Sequence, residues 1–311
     1  MAAAEFDFSD LDPLPQDDGP APVVSIRYTA RFEETMSLFR ALLVSGELSQ
    51  RALRLTEDVI EQNAANYTAW VYRRRCLEAL ESDELWEREL EWSADITRAN
   101  PKNYQVWFHR RRCVEARRAG SDAELIFISE CLEDDAKNYH AWGYRQWVLK
   151  TFNLWANELA FTALLLDDDA YNNSAWNQRR FVLAETGALT DGGATALREL
   201  DFALGHIAAD PSNAAPWAFV RSLLPDRTGA AVSESEPLLA RVCATCRELR
   251  ATHPRCAEVA AALVDVLERG GQAEGLSEAA RLCHELSTDL DQIRSKYWAM
   301  RSAQIAAGLH L

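Results

Sequence analysis

Ala136-Lys137-Asn138-Tyr139-His140-Ala141-Trp142-Gly143-Tyr144-Arg145 decides how this chain is read, because close copies recur on both sides of it. Asn66-Tyr67-Thr68-Ala69-Trp70-Val71-Tyr72-Arg73 and Asn103-Tyr104-Gln105-Val106-Trp107-Phe108-His109-Arg110 precede it. Asn172-Asn173-Ser174-Ala175-Trp176-Asn177-Gln178-Arg179 and the weaker Asn213-Ala214-Ala215-Pro216-Trp217 follow. The five tryptophans are 37, 35, 34 and 41 residues apart. A period of this size marks a repeat architecture, in which each unit buries its apolar face only by stacking on its neighbours.

Each copy reads as a pair of helices. The asparagine four residues before the tryptophan is a residue type that turns the chain and caps a helix N-terminus. The tryptophan and the apolar residues after it, as in Trp70, Cys76, Leu77 and Leu80, form a first helix. A polar turn follows at Ser82-Asp83, at Gly120-Ser121-Asp122 and near Asn153. A second helix is expected over about 84–99, 123–134 and 154–168. Two of the second helices stop before Pro101 and Pro211, as the residue ahead of a proline tends to leave helical geometry. The expected fold is all-α, a right-handed solenoid or crescent of helical hairpins.

The flanks depart from the period. Residues 1–26 mix Asp7, Asp10, Asp12, Asp17 and Asp18 with four prolines, which reads as a flexible acidic leader. Amphipathic spacing then starts near Tyr28 (Phe32, Met36, Phe39, Leu42) and resumes over about 49–62, a hairpin leading into the repeats. Beyond Trp217 a polar break is expected at Pro225–Gly229 and Ser233–Glu236. Helical patterning returns over about 237–251, 255–269, 276–287 and 289–306. Residues 27–311 therefore read as one repeat domain, with tryptophan-centred units over about 62–225 and atypical capping hairpins over about 237–306.

Composition limits the functions open to the chain. It has 311 residues, 48% of them hydrophobic, and a net charge of −15, the wrong balance for an unassisted grip on nucleic acid. The runs Arg73-Arg74-Arg75 and Arg110-Arg111-Arg112 lie within helices, where consecutive side chains point about 100° apart and do not make one patch. No run reaches the roughly 18–20 apolar residues of a membrane span, and the N-terminus lacks the order of a signal peptide. Seven cysteines without framework spacing fit a reducing compartment, so a cytoplasmic location is expected.

Few residues look chemical. The repeated tryptophans and the arginines three residues after them read as packing and bridging groups between hairpins. Cys243 and Cys246 have the spacing of a metal or redox pair but no accompanying pair, and read as one face of a helix. The six histidines show no zinc spacing, and neither a phosphate-binding glycine loop nor a nucleophile elbow is present. Lys137 stands apart. It precedes a helix N-terminus, whose outward N–H groups and partial positive charge favour a phosphate or diphosphate. Lys102 holds the same place one copy earlier, and a lysine in a turn is commonly just solvated, so the residues alone leave both readings open.

The string Asn-Tyr-x-x-Trp-x-x-Arg, with Asp135–Trp142, Pro101–Trp107, Arg145-Gln146-Trp147-Val148 and Leu154-Trp155-x-Asn157-Glu158-Leu159, is very similar to the α subunit shared by protein farnesyltransferase and geranylgeranyltransferase type I. The resemblance covers roughly residues 25–225, with a further echo at Ile293-Arg294-x-Lys296-Tyr297-Trp298. It implies a crescent wrapped around a separate β subunit that carries a catalytic Zn2+. The implied reaction transfers a farnesyl or geranylgeranyl group from its diphosphate to the cysteine of a C-terminal CaaX sequence, with Mg2+ in farnesyl transfer and no cofactor held by this chain. Carried over by position, Lys137 is the implied catalytic residue at the diphosphate. Tyr139 and Asn172 border the same site, Tyr104 and His140 line the peptide or lipid side, and Arg145 and Trp176 support the site or the heterodimer. Two departures stand out: Tyr72 and Tyr144 replace a histidine usual in the family, and Val220 stands where an arginine is expected, with Arg221 one place later. The rival readings are the α subunit for Rab proteins and a non-catalytic peptide-binding scaffold of helical repeats.

Overall fold

The computed structural model describes residues 6–24, 26–117, 122–191, 193–224 and 232–308. The α-helices are α1 Ala30–Ser45, α2 Gln50–Gln62, α3 Tyr67–Leu80, α4 Asp83–Ala99, α5 Tyr104–Arg117, α6 Asp122–Asp134, α7 Tyr139–Phe152, α8 Glu158–Asp168, α9 Asn173–Glu185, α10 Ala194–Ala209, α11 Ala214–Leu223, α12 Val232–Thr252, α13 Ala257–Gly270, α14 Ala273–Glu285 and α15 Ser295–Ala306. No strand occurs among the described residues, and no helix there is long and apolar enough to cross a membrane.

Two compact units, Met1–Asn153 and Leu154–Leu311, divide the chain. The close antiparallel pairs in the first are α2/α3, α4/α5 and α6/α7, with α1 packed on α2. The second contains α8/α9, α10/α11, α12/α13 and α14/α15. The hairpin is thus one helix out of phase with the expected unit. The asparagine turn is the inside of the hairpin, and the Ser82 turn joins one hairpin to the next. The reason is the turn itself, which fastens the helices on either side of it.

Each tryptophan indole Nε1 donates to the carbonyl six residues upstream: Trp70 to Ala64 (2.8 Å), Trp107 to Pro101 (2.8 Å), Trp142 to Ala136 (2.9 Å), Trp176 to Ala170 (3.0 Å) and Trp217 to Pro211 (2.9 Å). The ring therefore fills the interior while its one polar atom is satisfied, as burial of an indole requires. The asparagine caps its helix and, through Nδ2, reaches the same carbonyl of the preceding copy: Asn103 to Ala64 (2.7 Å), Asn138 to Pro101 (3.1 Å) and Asn213 to Ala170 (2.9 Å). One carbonyl thus binds its own tryptophan and the next repeat's asparagine. The stitch continues where the sequence period fails. Cys256, at the N-cap position of α13, places its Sγ 3.3 Å from the Pro211 carbonyl.

The arginine three residues after the tryptophan is caged. Arg73 makes a two-pronged pair with Glu89 (2.6 and 2.7 Å), bonds the Leu53 carbonyl and stacks 3.9 Å from the centre of the Trp92 ring. Arg110 repeats this with Glu124, Leu90 and Phe127, and Arg179 with Glu199, Leu159 and Phe202. The residue between, two after the tryptophan, reaches back to the previous carboxylate: His109 Nε2 lies 2.5 Å from Glu89, the Tyr144 hydroxyl donates to Glu124 (2.9 Å), and Gln178 donates to Glu158 (2.8 Å). Tyrosine at 144 thus preserves the donor that histidine supplies at 109. Tyr72 has no earlier carboxylate to serve and donates to the Leu42 and Glu47 carbonyls.

Some expected boundaries move. Residues 154–157 form the turn ahead of α8, which starts at Glu158. Ser233–Glu236 lie inside α12 rather than in a break, whereas Pro225–Gly229 fall outside the described residues. The last expected helix is preceded by a π turn, Leu286–Leu290, and a short 3-10 turn, so α15 begins at Ser295. Val220 is buried in the second unit's core, and Arg221 pairs instead with Asp265 at 2.6 Å. The leader, expected to be flexible, has named contacts. Asp10 pairs with Arg51 (2.5 Å), the Phe8 ring lies under that guanidinium, and Arg40 Nε donates to the Leu14 carbonyl (2.7 Å).

Candidate functional site

The corner that carries Lys137 is built from its backbone outward. Helix α6 ends as the Asp135 N–H bonds the Cys131 carbonyl, and the Asp135 carbonyl accepts from the Asn138 N–H. The Asp135 carboxylate then accepts the Lys137 N–H at 3.1 Å, which locks the lysine's backbone. Asn138 Oδ1 accepts from the His140 and Ala141 N–H groups, so α7 starts in one defined place. The same Asx turn recurs at Asn63, Asp169 and Asp210, and it puts Ala65, Tyr171 and Ser212 where Lys137 stands. This position is exposed in all five copies, and its main chain is pinned in this way at Ala65, Lys137, Tyr171 and Ser212. Lys102, its counterpart one repeat earlier, lies 3.4 Å from the Asp135 carboxylate.

Around this corner the first unit gathers aromatic groups. Tyr104 and His140 meet edge to face with ring centres 4.3 Å apart, and Tyr139 lies 5.5 Å from the same imidazole. Partial burial pushes the His140 pKa down, against a bond to the Lys102 main chain that pulls it up. Tyr104 and Tyr139 are largely exposed, at 63% and 73%. An open cleft of about 560 Å3 lies beside them, lined by Tyr67, Pro101, Lys102 and Tyr104 among others. The Lys102 ammonium and the Tyr67 and Tyr104 rings in the cleft, with exposed Lys137 and Tyr139 at the start of α7, are side-chain types that suit an anionic ligand with an apolar portion.

The other expected residues have different surroundings. Arg145 is buried and bonds the Leu125 carbonyl and Ser129 Oγ, both at 3.2 Å, so its guanidinium is spent inside the repeat. In the second unit Asn172 is buried with Oδ1 capping α9 through Ser174 and Ala175 N–H groups. Trp176 is buried against Phe202, His206 and Phe219. Lys137, Tyr139, His140 and Tyr104 share one surface of the first unit, while Arg145 lies beneath it.

Sequence reading missed the carboxylates. Glu89, Glu124 and Glu199 follow their arginines by 16, 14 and 20 residues, because the turns between hairpins differ in length. No fixed spacing marks them. An arginine three residues after the tryptophan in four of the five copies is itself the usable signal, since a guanidinium on that packed face demands a nearby anion.

Comparison with known proteins agrees with this construction. The family model described as protein prenyltransferase alpha subunit repeat matches residues 49–80, 86–117, 121–152 and 155–186, which are the hairpins α2/α3 to α8/α9 in the phase observed here. The chain is 38% identical over 309 residues to the protein farnesyltransferase/geranylgeranyltransferase type-1 subunit alpha of Dictyostelium discoideum, covering 98% of this chain and 94% of that one. It is 40% identical over 143 residues to the subunit of the same name from Schizosaccharomyces pombe, 46% of this chain and 36% of that one. Among solved structures it superposes on a chain of Candida albicans protein geranylgeranyltransferase-I complexed with GGPP with a TM-score of 0.83, at 26% identity, covering 97% and 99% of the two chains. On this full-length similarity and its repeat chemistry, the chain belongs to the family of protein farnesyltransferase/geranylgeranyltransferase type-1 alpha subunits.

Proposed function

We propose that this chain is the α subunit of a heterodimeric protein prenyltransferase and that it contributes Lys137 to the reaction. The substrates are farnesyl or geranylgeranyl diphosphate and a protein ending in a CaaX sequence, and the enzyme works in the cytoplasm. Once the cysteine thiol has given up its proton to solvent, the bond from the prenyl C1 to the diphosphate oxygen breaks while a bond from that carbon to the thiolate sulfur forms, and diphosphate leaves with the electron pair. Negative charge on the leaving group grows toward the transition state. An ammonium already held near it therefore stabilises the transition state more than the ground state.

The observation that carries this reading is the Lys137 corner, a cation on a pinned backbone beside Tyr139, His140 and Tyr104 in a chain of this family. The family implies a Zn2+ that would activate the thiol, and the described residues of this chain do not fit it. Among the described residues no three His, Cys, Asp or Glu side chains come together as a metal requires. Burial holds the Cys76 and Cys283 thiols up at about 11, so they stay protonated. On this proposal the metal belongs to the β subunit, with Mg2+ accompanying the diphosphate in farnesyl transfer.

The test is co-expression with each candidate β subunit and single-turnover assay with both prenyl diphosphates. Lys137→Ala is expected to leave assembly intact and slow the chemical step by about 100-fold, the usual scale for losing one preorganised charge donor. Lys102→Ala serves as the matched control. A Lys137→Ala heterodimer with wild-type turnover refutes the role of this lysine.

A further inference from the structure

The first hairpin is fastened differently from the later ones. In the copies centred on Trp107, Trp142 and Trp217 the asparagine Nδ2 bonds a carbonyl of an earlier copy. Asn66 opens the series, and its Nδ2 faces the Met36 Sδ at 3.9 Å, a weak acceptor. Tyr72 likewise turns to the Leu42 and Glu47 carbonyls, where Tyr144 and Gln178 find a carboxylate. A repeat array covers each unit with its neighbours, so the first unit needs another cover.

Residues 6–16 lie where that cover is required. Arg51 on α2 makes a two-pronged pair with Asp10 (2.5 and 2.8 Å) and donates to the Asp7 carbonyl (2.9 Å). The centre of the Phe8 ring is 5.7 Å from the same guanidinium. Glu47 holds that guanidinium through two further bonds of 2.7 Å, which fixes its direction. The Leu11 N–H bonds the Phe8 carbonyl (3.0 Å), and the chain then meets α1. There the Leu14 N–H donates to the Ser37 carbonyl (3.1 Å), while Arg40 Nε donates to the Leu14 carbonyl (2.7 Å). At the other end Phe6 lines a groove of about 330 Å3 with Leu53 on α2, Arg73 on α3, and Glu89 and Trp92 on α4. The segment thus runs from α4 across α2 to α1, and its first aromatic ring borders the buried Arg73–Glu89 pair.

Composition favours this docking. Pro13 and Pro15 narrow the conformations of the free segment, so ordering it costs less entropy. The aspartates that make the leader acidic include the one that meets Arg51. We propose that residues 6–16 form a strap that takes the place of a preceding repeat, holding α1 against α2 and closing the groove over Arg73 and Glu89. The leader is thus the N-terminal cap of the array, and releasing it loosens the first hairpin.

Hydrogen–deuterium exchange on the full-length chain, read by mass spectrometry, tests this. Phe8→Ser/Asp10→Asn breaks the clamp on Arg51. Asp12→Asn removes an exposed carboxylate beside the clamp and is the control. In the unaltered chain the peptide covering the Ser9, Leu11 and Leu14 amides is expected to exchange about tenfold more slowly than unstructured chain. The double variant should lose that protection and speed exchange in α1 and α2 by about tenfold, the scale of an exposed charge pair together with a cation–aromatic contact. Asp12→Asn should exchange as the unaltered chain. Leader amides that exchange as unstructured chain in the unaltered protein overturn the strap. Loss of leader protection with α1 and α2 unchanged overturns its role as a cap. An equal effect of Asp12→Asn overturns the assignment to the Arg51 clamp.

Discussion

Glu124 offers the sharpest test of how the repeats are held together. It is buried, and it accepts both prongs of Arg110 from the preceding hairpin (2.9 and 2.7 Å) and the hydroxyl of Tyr144 from its own (2.9 Å). Glu124→Ala leaves the Arg110 guanidinium buried, with only the Leu90 carbonyl, Ser93 Oγ and the Phe127 face as partners. Breaking a buried pair by removing one member costs about 3–5 kcal/mol. Tyr144→Phe removes one hydrogen bond to a charged group, about 1.5–3 kcal/mol. The double replacement Arg110→Met/Glu124→Leu removes both charges. It should recover most of the loss, less about 1–3 kcal/mol for the polar groups left behind. For a folding unit of about 150 residues, 1 kcal/mol moves the midpoint by roughly 2–4 °C, so Glu124→Ala should lower the first unit's transition by about 6–20 °C. Scanning calorimetry with a parallel urea titration reads this directly. The reasoning is refuted if Glu124→Ala is no more destabilising than Tyr144→Phe, or if the double variant is worse than either single charge removal.

Two further outcomes follow from the same stitching. Burial depresses the His109 pKa although its bond to Glu89 opposes this, so the neutral ring is favoured, with Nδ1 unpartnered. The unfolded chain then binds the extra proton first, and stability falls as pH drops from the ordinary value of 6.5 toward the lower folded value. Burial pushes Glu89 up, but Arg73 and His109 outweigh it and hold the carboxylate at about 2, so its stabilisation fades only below about pH 4.5. His109→Gln, the side chain that α9 uses at position 178, should keep the bond to Glu89 and flatten the slope that opens as pH falls below 6.5. An unchanged slope in urea titrations excludes His109 as its source. Cys256→Asn should install the asparagine stitch at α13, with a cap as well as a stronger donor to the Pro211 carbonyl. The expected gain is about 1 kcal/mol, and a loss of stability would show that the pocket accepts only sulfur.

Much of the site was legible from residues because its parts are local. Asn138, Lys137 and Asp135 act on backbone groups two or three residues away, so a ten-residue string contains the whole turn. The choice of Lys137 over Lys102 was not legible that way and came from resemblance. Tyr104 and His140 are 36 positions apart, and only stacking of α5 beside α7 brings their rings to 4.3 Å. Cys243 and Cys246 read as helix packing, in keeping with their place in α12 and a Cys246 thiol raised to about 12 by burial.

By itself the sequence determined the repeat, the all-helical class and the capped turns, since periodic tryptophans and asparagines act through neighbours within one helical turn or through the next identical unit. Tertiary structure decided the phase of the hairpins, because phase depends on which of two turns is stitched, and that stitch joins a carbonyl to an asparagine some 37–43 residues away. It also decided which arginines of each run are buried and which face solvent. Arg73 and Arg74 are adjacent in sequence, but only the first points at a carboxylate contributed by the following hairpin. The corner at Lys137 belongs to both levels: its shape is written locally, and the surface it stands on exists only once α5 and α7 lie side by side.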